Sequence, residues 1–434
     1  MRLAILATVT AAAVTLLVPS VSQASPYIRY GVQDDAYLSA GPALPSRLDT
    51  LDRLGAQLVR FTVNWRQIAV HRPQRAVDPA DPAYDWSNAD AVLNGLHEHK
   101  IAVLVTLYGT PAWANGGRGA NGVPTSKYSL PAFALAVAKR YPWIRMWEIW
   151  NEPNLRHFLS PNSPALYVQS LLNPTYAVLK GLHVTNRVAG GATSPRPTPS
   201  GLSPIAFMRG MHAAHARLDA YSHHPYPVTR GERPSGFAGN VCKYCKGVLT
   251  LANLPVLLNE VRRDFGPKRI WLTEYAYQTK PPDPSGVSPS VQAEYVAEAA
   301  LRAKSARFVD VLIHFIIKDE PQVSGWQSGF FNAAGVVRAA FNSFQLPIVQ
   351  SSRLGLRTTI WGQVRPGVGR RWYRLQRLTH GRWVSVGHPA LTNVFGSYTR
   401  VIRAERGLRL RILYYPAGAN SGGEPVSSRP IVVH

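Results

Sequence analysis

Residues 101–108 read IAVLVTLY, a continuous apolar run without the polar alternation of a half-exposed strand. Strands that read this way are buried on both faces, as in parallel sheets. Seven more short runs rich in β-branched and aromatic residues occur at 28–32, 58–65, 146–150, 188–192, 218–222, 269–274 and 309–315. Stretches with helical periodicity lie between them, at 46–54, 89–99, 131–138, 164–182, 203–216 and 290–305.

Eight such units over residues 25–347 predict a (β/α)8 TIM barrel. An open, doubly wound sheet is the structural alternative. It calls for a glycine-rich phosphate-binding turn after the first strand, whereas residues 31–35 read GVQDD.

Residues 348–434 have a different texture. Short strands separated by Gly and Pro turns are predicted at 358–364, 372–378, 383–386, 398–404 and 408–415, which indicates a small all-β, immunoglobulin-like sandwich. This region holds 14 Arg, no Lys and two acidic residues, a formal charge of +12. It is expected either to attract an anionic partner, such as an acidic cell-wall polymer or lipid headgroups, or to cap the barrel with Trp361, Trp372 and Trp383 in its core.

The N-terminus predicts secretion. Arg2 precedes an apolar run from Leu3 to Val18 and a small-x-small cleavage pattern at 22–24, so residues 1–24 are interpreted as a signal peptide, with an uncleaved anchor as the alternative. No later run is long enough to span a membrane. In an oxidising compartment Cys242 and Cys245 are expected to form a disulfide, since a redox CxxC or a zinc site lacks the necessary context.

The strand ends carry the candidate chemistry, because barrel enzymes place their reacting groups there. The fourth strand ends in WEIWNEPN at 147–154, and the seventh ends at Glu274. Strands four and seven lie across the barrel mouth from each other, so Glu152 and Glu274 are predicted to face one cleft from opposite sides. A carboxylic acid and a carboxylate in that arrangement are what glycosidic cleavage needs.

These motifs resemble clan A of the glycoside hydrolases, the retaining (β/α)8 enzymes, and the longer string is similar to families 39 and 5, including secreted cellulase-like members. The resemblance covers roughly residues 28–345. It implies that Glu152 is the acid/base and Glu274 the nucleophile. It also implies the sugar-contacting or supporting residues, which are Asn151, Arg60, His224, Tyr226 and Trp326. Arg60 is expected to lower the pKa of Glu274, and the charge of Glu274 to raise that of Glu152.

Each of these residues has a structural alternative. Asn-Glu-Pro alone is also a helix-entry turn, Arg60 could form a structural ion pair, and His223 and His224 could belong to a turn. Glu148 is interpreted as a buried partner of an arginine. Trp113, in the loop after strand three, is a further candidate for stacking on sugar, with core packing as the alternative.

The sequence therefore predicts a secreted retaining β-glycosidase that acts on a β-linked poly- or oligosaccharide without a metal or other cofactor. A carbohydrate- or wall-binding protein on an inactive barrel is the alternative, but it need not keep both glutamates and the arginine. The net charge of +24 excludes an acidic, DNA-mimicking or calcium-storing protein. It also suggests a nucleic-acid binder, but the predicted signal peptide and the scattered positions of the arginines disfavour that class. The sugar, its linkage and endo or exo action stay open.

Overall fold

A computed structural model describes residues 25, 28–229, 231–236, 247–416 and 424–434. The predicted signal peptide and both cysteines lie outside the described residues. In the part of the chain that is described, no helix is both long and apolar enough to cross a membrane.

Eight parallel strands close into a barrel in chain order, with the last strand paired to the first. They are β1 (Arg29–Gln33), β2 (Leu58–Asn64), β3 (Ala102–Tyr108), β4 (Met146–Ile149), β5 (Arg187–Thr193), β6 (Ala220–His223), β7 (Arg269–Tyr275) and β8 (Val309–Phe315). The predicted (β/α)8 barrel is confirmed. All eight predicted strands lie within about two residues of the observed ones, because each is an apolar run buried on both faces.

The α-helices of the described residues are α1 (Asp35–Ala40), α2 (Leu44–Leu54), α3 (Trp65–Ile68), α4 (Ser87–Glu98), α5 (Ser129–Arg140), α6 (Pro164–Leu166), α7 (Asn173–Leu182), α8 (Pro204–Ala213), α9 (Leu254–Phe265), α10 (Pro289–Ser305) and α11 (Ala339–Gln345). A 3₁₀ turn spans Ala112–Ala114. The single helix predicted at 164–182 is interrupted by a π-helical stretch, Tyr167–Leu172. Pro174 follows it and cannot donate to the carbonyl of Ser170, which loosens the preceding turn.

The barrel interior is layered. A separate apolar cluster that includes Leu58, Leu104, Met146 and Trp271 fills its N-terminal end. The next inward residues on β2, β3 and β4 are two positions along each strand, because side chains alternate between faces. They are Arg60, Thr106 and Glu148. A polar layer thus lies on top of an apolar plug and opens towards the C-terminal ends of the strands.

The region after the barrel is all-β, as predicted. One antiparallel sheet has the order β14–β10–β9 and the other β12–β11–β15–β16, with β13 paired to β11 and β17 to β15. The strands are β9 (Ile348–Leu354), β10 (Arg357–Gln363), β11 (Trp372–Thr379), β12 (Arg382–Ser385), β13 (Ala390–Leu391), β14 (Ser397–Arg403), β15 (Arg409–Tyr414), β16 (Val426–Ser427) and β17 (Ile431–Val432). Strand β9 and the two-residue strands β13, β16 and β17 were not predicted.

Residues of both sheets share one apolar cluster that includes Ile360, Tyr373 and Ile412. None of the three tryptophans proposed as its core belongs to it. Trp361 packs with the barrel core, Trp372 is 38% exposed and Trp383 is half-buried. The expectation was wrong because Trp372 and Trp383 lie on the outward face of their strands, which a β-rich pattern does not reveal.

The barrel and the β region meet at a buried arginine. The guanidinium of Arg365 lies 3.8 Å from the ring centre of Tyr30 in β1 and 4.4 Å from that of Phe344 in α11. Its backbone N–H donates to the carbonyl of Gln345 at 3.0 Å. Burial without an acidic partner lowers the pKa of Arg365 to about 10. Two aromatic faces replace a carboxylate here, which joins the two regions tightly.

Candidate active site

A cleft of about 720 Å³ opens at the C-terminal ends of the barrel strands. Its walls include Asn151, Glu152, Tyr226, Glu274 and Trp326, all predicted from the sequence. The volume lies in the range of ordinary ligand pockets. The cleft therefore brings the two predicted carboxylates into one solvent-accessible space.

The end of β4 leaves ordinary strand geometry to present Glu152. Trp150 has a φ of 76° and Glu152 a φ of 39°, a backbone region that non-glycine residues rarely adopt. Both are held by backbone hydrogen bonds, from Trp150 N–H to the carbonyl of Leu107 and from Glu152 N–H to that of Ala192, each at 2.9 Å. Such strain costs about 1–3 kcal/mol per residue and is typical of functional sites.

Arg60 organises the polar layer beneath the cleft. Its guanidinium lies 2.6 Å from Glu148 and 2.5 Å from Oε1 of Glu274, and it also donates to Gln33. Its Nη2 donates to Oδ1 of Asn151 at 2.9 Å, which leaves the Asn151 amide nitrogen available to a ligand. The interpretation of Glu148 as a buried arginine partner is confirmed. Arg60 holds the nucleophile candidate without lining the cleft itself.

His224 connects the two carboxylates. Its Nδ1 lies 3.0 Å from Oε1 of Glu152 and 3.5 Å from Oε2 of Glu274. Those two oxygens are therefore no further apart than the sum of the two distances. This upper limit on the distance between the two oxygens is compatible with the carboxyl spacing of about 5–5.5 Å in retaining enzymes.

The two carboxylates have unequal surroundings. Glu274 is paired with Arg60 and accepts a hydrogen bond from Oη of Tyr226 at 2.8 Å, whereas Glu152 is hydrogen-bonded to the His224 ring and has no cation in contact. Burial raises the pKa of Glu274 to about 7, against the opposing effect of Arg60 and Tyr226. Burial, and then the charge of Glu274, raise the pKa of Glu152 well above its ordinary value.

The predicted effect of Arg60 is confirmed in direction, but the net pKa of Glu274 is nevertheless raised. Burial outweighs the effect of Arg60. The pKa of His224 is lowered well below 6.5 by burial and by Arg60, so its ring is neutral near pH 7. Of the two carboxyl groups, Glu152, which has no cation in contact, therefore keeps its proton more readily.

One wall of the cleft is aromatic. The ring of Trp326 lies 4.9 Å from that of Tyr226 and 5.1 Å, edge-on, from that of Phe315. Trp326 is half-buried and lines the cleft, so part of its face remains available. This is a surface on which a pyranose ring can pack.

Trp113 does not reach the cleft. Its ring packs edge-on against Trp65 at 5.7 Å, and its Nε1 donates to the carbonyl of Ala69 at 2.8 Å. It is also absent from the cleft walls. Trp113 is a packing residue, and the expectation of a sugar contact is wrong. His223 is likewise structural, because its two ring nitrogens contact Thr193 and Leu249.

Several cleft residues were not anticipated. Gln33, the last residue of β1, and Asp35, the first residue of α1, line the cleft. Oδ1 of Asp35 accepts a hydrogen bond from the backbone N–H of Thr62 at 2.9 Å. Tyr108 and Phe158 form an aromatic pair near the β4 end, with ring centres 6.3 Å apart. The rule that directed attention to the ends of β4 and β7 could have found both residues, since Gln33 ends a barrel strand and Asp35 lies two positions beyond it.

The charged residues at the end of β8 are outside the reacting centre. Asp319 is paired with Arg338, its carboxylate accepting from the two terminal guanidinium nitrogens at 2.5 and 2.6 Å. His314 is buried, stacks on Phe330 and is hydrogen-bonded through Nε2 to the Ser328 carbonyl. Across the described ranges, no cluster of His, Cys, Asp and Glu is arranged to hold a metal ion.

No model of a known protein family matches the sequence, and no curated protein matches it. Solved structures do. A glucosidase from Croceicoccus marinus is 13% identical, with 88% of this chain and 94% of that chain covered and a TM-score of 0.56. GH5_18 from Streptomyces cattleya, solved in complex with GlcNAc, is 16% identical, with 73% and 78% covered and a TM-score of 0.51. At these identities the likeness establishes the barrel fold.

Proposed function

We propose that this chain is a secreted retaining β-glycosidase. The observation that carries the proposal is the pair Glu152 and Glu274, which face one cleft, share the Nδ1 atom of His224 and differ in that only Glu274 has a cationic partner. The two similar folds named above are those of a glucosidase and of GH5_18, and the clan A resemblance of the strand ends points the same way.

The first half of the reaction follows from the two environments. Glu274, whose ionised form is favoured by Arg60 and Tyr226, attacks the anomeric carbon and forms a glycosyl ester. Glu152 gives its proton to the departing glycosidic oxygen at the same time. The arrangement suits these roles because Glu152 has no cation to make it ionise, while Glu274 has one.

The second half reverses the roles. Once Glu274 is esterified it carries no charge, which removes the repulsion that raises the pKa of Glu152. Glu152 can then take a proton from the incoming water, which attacks the anomeric carbon and releases the sugar with its original configuration. Asn151, oriented by Arg60, is placed to donate its amide to a sugar hydroxyl, and Trp326 supports the ring beside the cleavage point.

Substrate class is proposed as a β-linked oligo- or polysaccharide. The acidic and amide groups of Gln33, Asp35 and Asn151 in the cleft suit sugar hydroxyls, and Trp326 suits an apolar ring face. Export through the N-terminal segment, and cell-wall association through the basic β region, belong to the same proposal.

The test is a panel of chromogenic β-glycosides and soluble β-glucans with the purified protein. We expect turnover of at least one of them, and Glu274→Gln should lower it by several orders of magnitude. Glu260→Gln, on the outer helix α9, is the matched control and should leave the rate unchanged. Full activity in Glu274→Gln, or no turnover across the panel by folded wild type, would contradict the proposal.

A further inference from the structure

The outward face of the second β sheet combines aromatic and guanidinium groups. It is formed by Trp372, Arg374 and Gln376 of β11, Trp383 of β12 and Arg411 of β15, and is called here the aromatic–arginine face. The register places Leu378 opposite Trp383 and Gln376 opposite Arg411, so the three strands present these side chains on one side. None of the five belongs to the apolar cluster between the two sheets.

Arg411 is held in place without a carboxylate. Its guanidinium lies 4.3 Å from the ring centre of Trp383, and its Nε donates to Oε1 of Gln376 at 2.9 Å. Its two terminal nitrogens have no hydrogen-bond partner among the described residues. A guanidinium fixed by stacking, with its fork free, is suited to binding a carboxylate or another oxyanion in bidentate geometry.

Arg374, on the neighbouring strand β11, repeats the arrangement. It lies 5.8 Å from the ring centre of Tyr415, and its Nε is buried without a partner within the described residues. Trp372 beside it is 38% exposed. The face runs along β11 from Trp372 to Leu378, the residue that pairs with Trp383 of β12. These six residue steps correspond to about 20 Å of strand.

The charge of the region has no internal counterpart. None of the arginines from 348 onwards forms an ion pair with an aspartate or glutamate in the described ranges, although the barrel contains many such pairs. The region holds 14 Arg and two acidic residues. A surface of this kind is complementary to a polymer with repeated negative charges, and its attraction weakens as salt increases.

We propose that the aromatic–arginine face binds an acidic polysaccharide, with Trp372 and Trp383 packing against sugar rings and Arg374 and Arg411 binding its anionic groups. Flat aromatic side chains distinguish a sugar polymer from a simple polyanion, because each ring adds apolar contact that salt does not screen. The choice of a polysaccharide rests in part on the proposed function, whereas binding itself does not depend on catalysis.

The test compares binding of the full chain to immobilised carboxymethyl-dextran, unmodified dextran and poly-glutamate at two salt concentrations, and binding to phosphatidylglycerol vesicles is measured in parallel. Dextran is α-linked, so a β-glycosidase leaves the probes intact. We expect binding to carboxymethyl-dextran that is at least about tenfold tighter than to either of the others, and that persists in part at high salt. Equal binding to poly-glutamate, or tighter binding to phosphatidylglycerol vesicles, would overturn the proposal in favour of a charge-only or lipid surface.

Two variants locate the site. Trp383→Ala with Arg411→Gln, and independently Trp372→Ala with Arg374→Gln, should each weaken binding to carboxymethyl-dextran by about tenfold. Val401→Ala with Arg403→Gln is the matched control, since it removes the same charge and an exposed apolar side chain from the other sheet. Equal weakening in the control would refute the face as the site. Chromogenic glycoside turnover should be unchanged in all three, which separates failure of this inference from failure of the proposed function.

Discussion

Tyr226→Phe is the sharpest test of how the site distributes its charges. The change removes one hydroxyl and almost no volume, and with it the 2.8 Å hydrogen bond from Oη to Oε2 of Glu274. A hydrogen bond to a charged group contributes about 1.5–3 kcal/mol. Since one pKa unit corresponds to about 1.4 kcal/mol, the pKa of Glu274 should rise by about 1–2 units, from about 7 to about 8–9.

The assay is the pH dependence of kcat/KM on a chromogenic glycoside. Glu274 must be ionised to attack, so activity should rise with pH through about 7 in the wild type. In Tyr226→Phe this acidic limb of the pH profile should move to higher pH by about 1–2 pH units. At pH values below the limb kcat/KM should fall by about ten- to a hundredfold, and at pH values above the shifted limb it should recover much of its wild-type value. Tyr277→Phe, also in the cleft wall, is the matched control, with no contact to either carboxylate among the hydrogen bonds of the described residues.

The same shift should appear in stability. The folded-state pKa of Glu274 lies above its unfolded value, so its contribution to stability is present at low pH and is lost as pH rises through the folded pKa. Below pH 7 the free energy of unfolding of Tyr226→Phe should therefore show no extra decrease relative to wild type from the ionisation of Glu274. Above about pH 9 this extra decrease should reach about 1.5–3 kcal/mol. An unmoved acidic limb in a folded variant, or an equal loss of rate at every pH, would refute this account of the site.

Three further outcomes follow from the same structure. Glu152→Ala should be partly rescued by azide on a substrate with a good leaving group, giving a β-glycosyl azide, and lack of rescue would remove its assignment as acid/base. The first-formed sugar in proton NMR should be the β anomer, since an initial α anomer would mean inversion. Arg365→Ala should lower the free energy of unfolding by on the order of 2–3 kcal/mol in thermal denaturation, and an unchanged melting temperature would exclude a structural role.

The strands of the barrel were predictable because burial on both faces leaves a direct mark on the sequence. The position of Glu152 and Glu274 followed from strand order alone, since a closed barrel brings its strand ends to one rim. Helix α9 (Leu254–Phe265) was missed although Leu254, Leu257 and Val261 repeat at helical spacing and are buried, so the signal was there to be used.

Other features depend on three-dimensional surroundings that no local pattern contains. The pKa of Glu274 is set by how deeply it is buried, and a sequence shows Arg60 but not the depth. Trp113 and Trp326 both stand in loops near strand ends, yet one packs on Trp65 and the other on Tyr226 in the cleft. Which side of a loop turns inwards is decided by packing between distant elements.

The contact of Arg365 with Tyr30 and Phe344 bears on how such a protein can be inherited and re-engineered. A domain that is exchanged between proteins as a cassette needs a boundary with few specific contacts. Here one residue of the β region is enclosed by aromatic rings from the first strand and the last helix of the barrel. Transfer of residues 348–434 to another barrel would leave the Arg365 guanidinium exposed to solvent, or buried without partners, unless that barrel had aromatic residues equivalent to Tyr30 and Phe344. The two regions are therefore expected to diverge together, as one unit of selection.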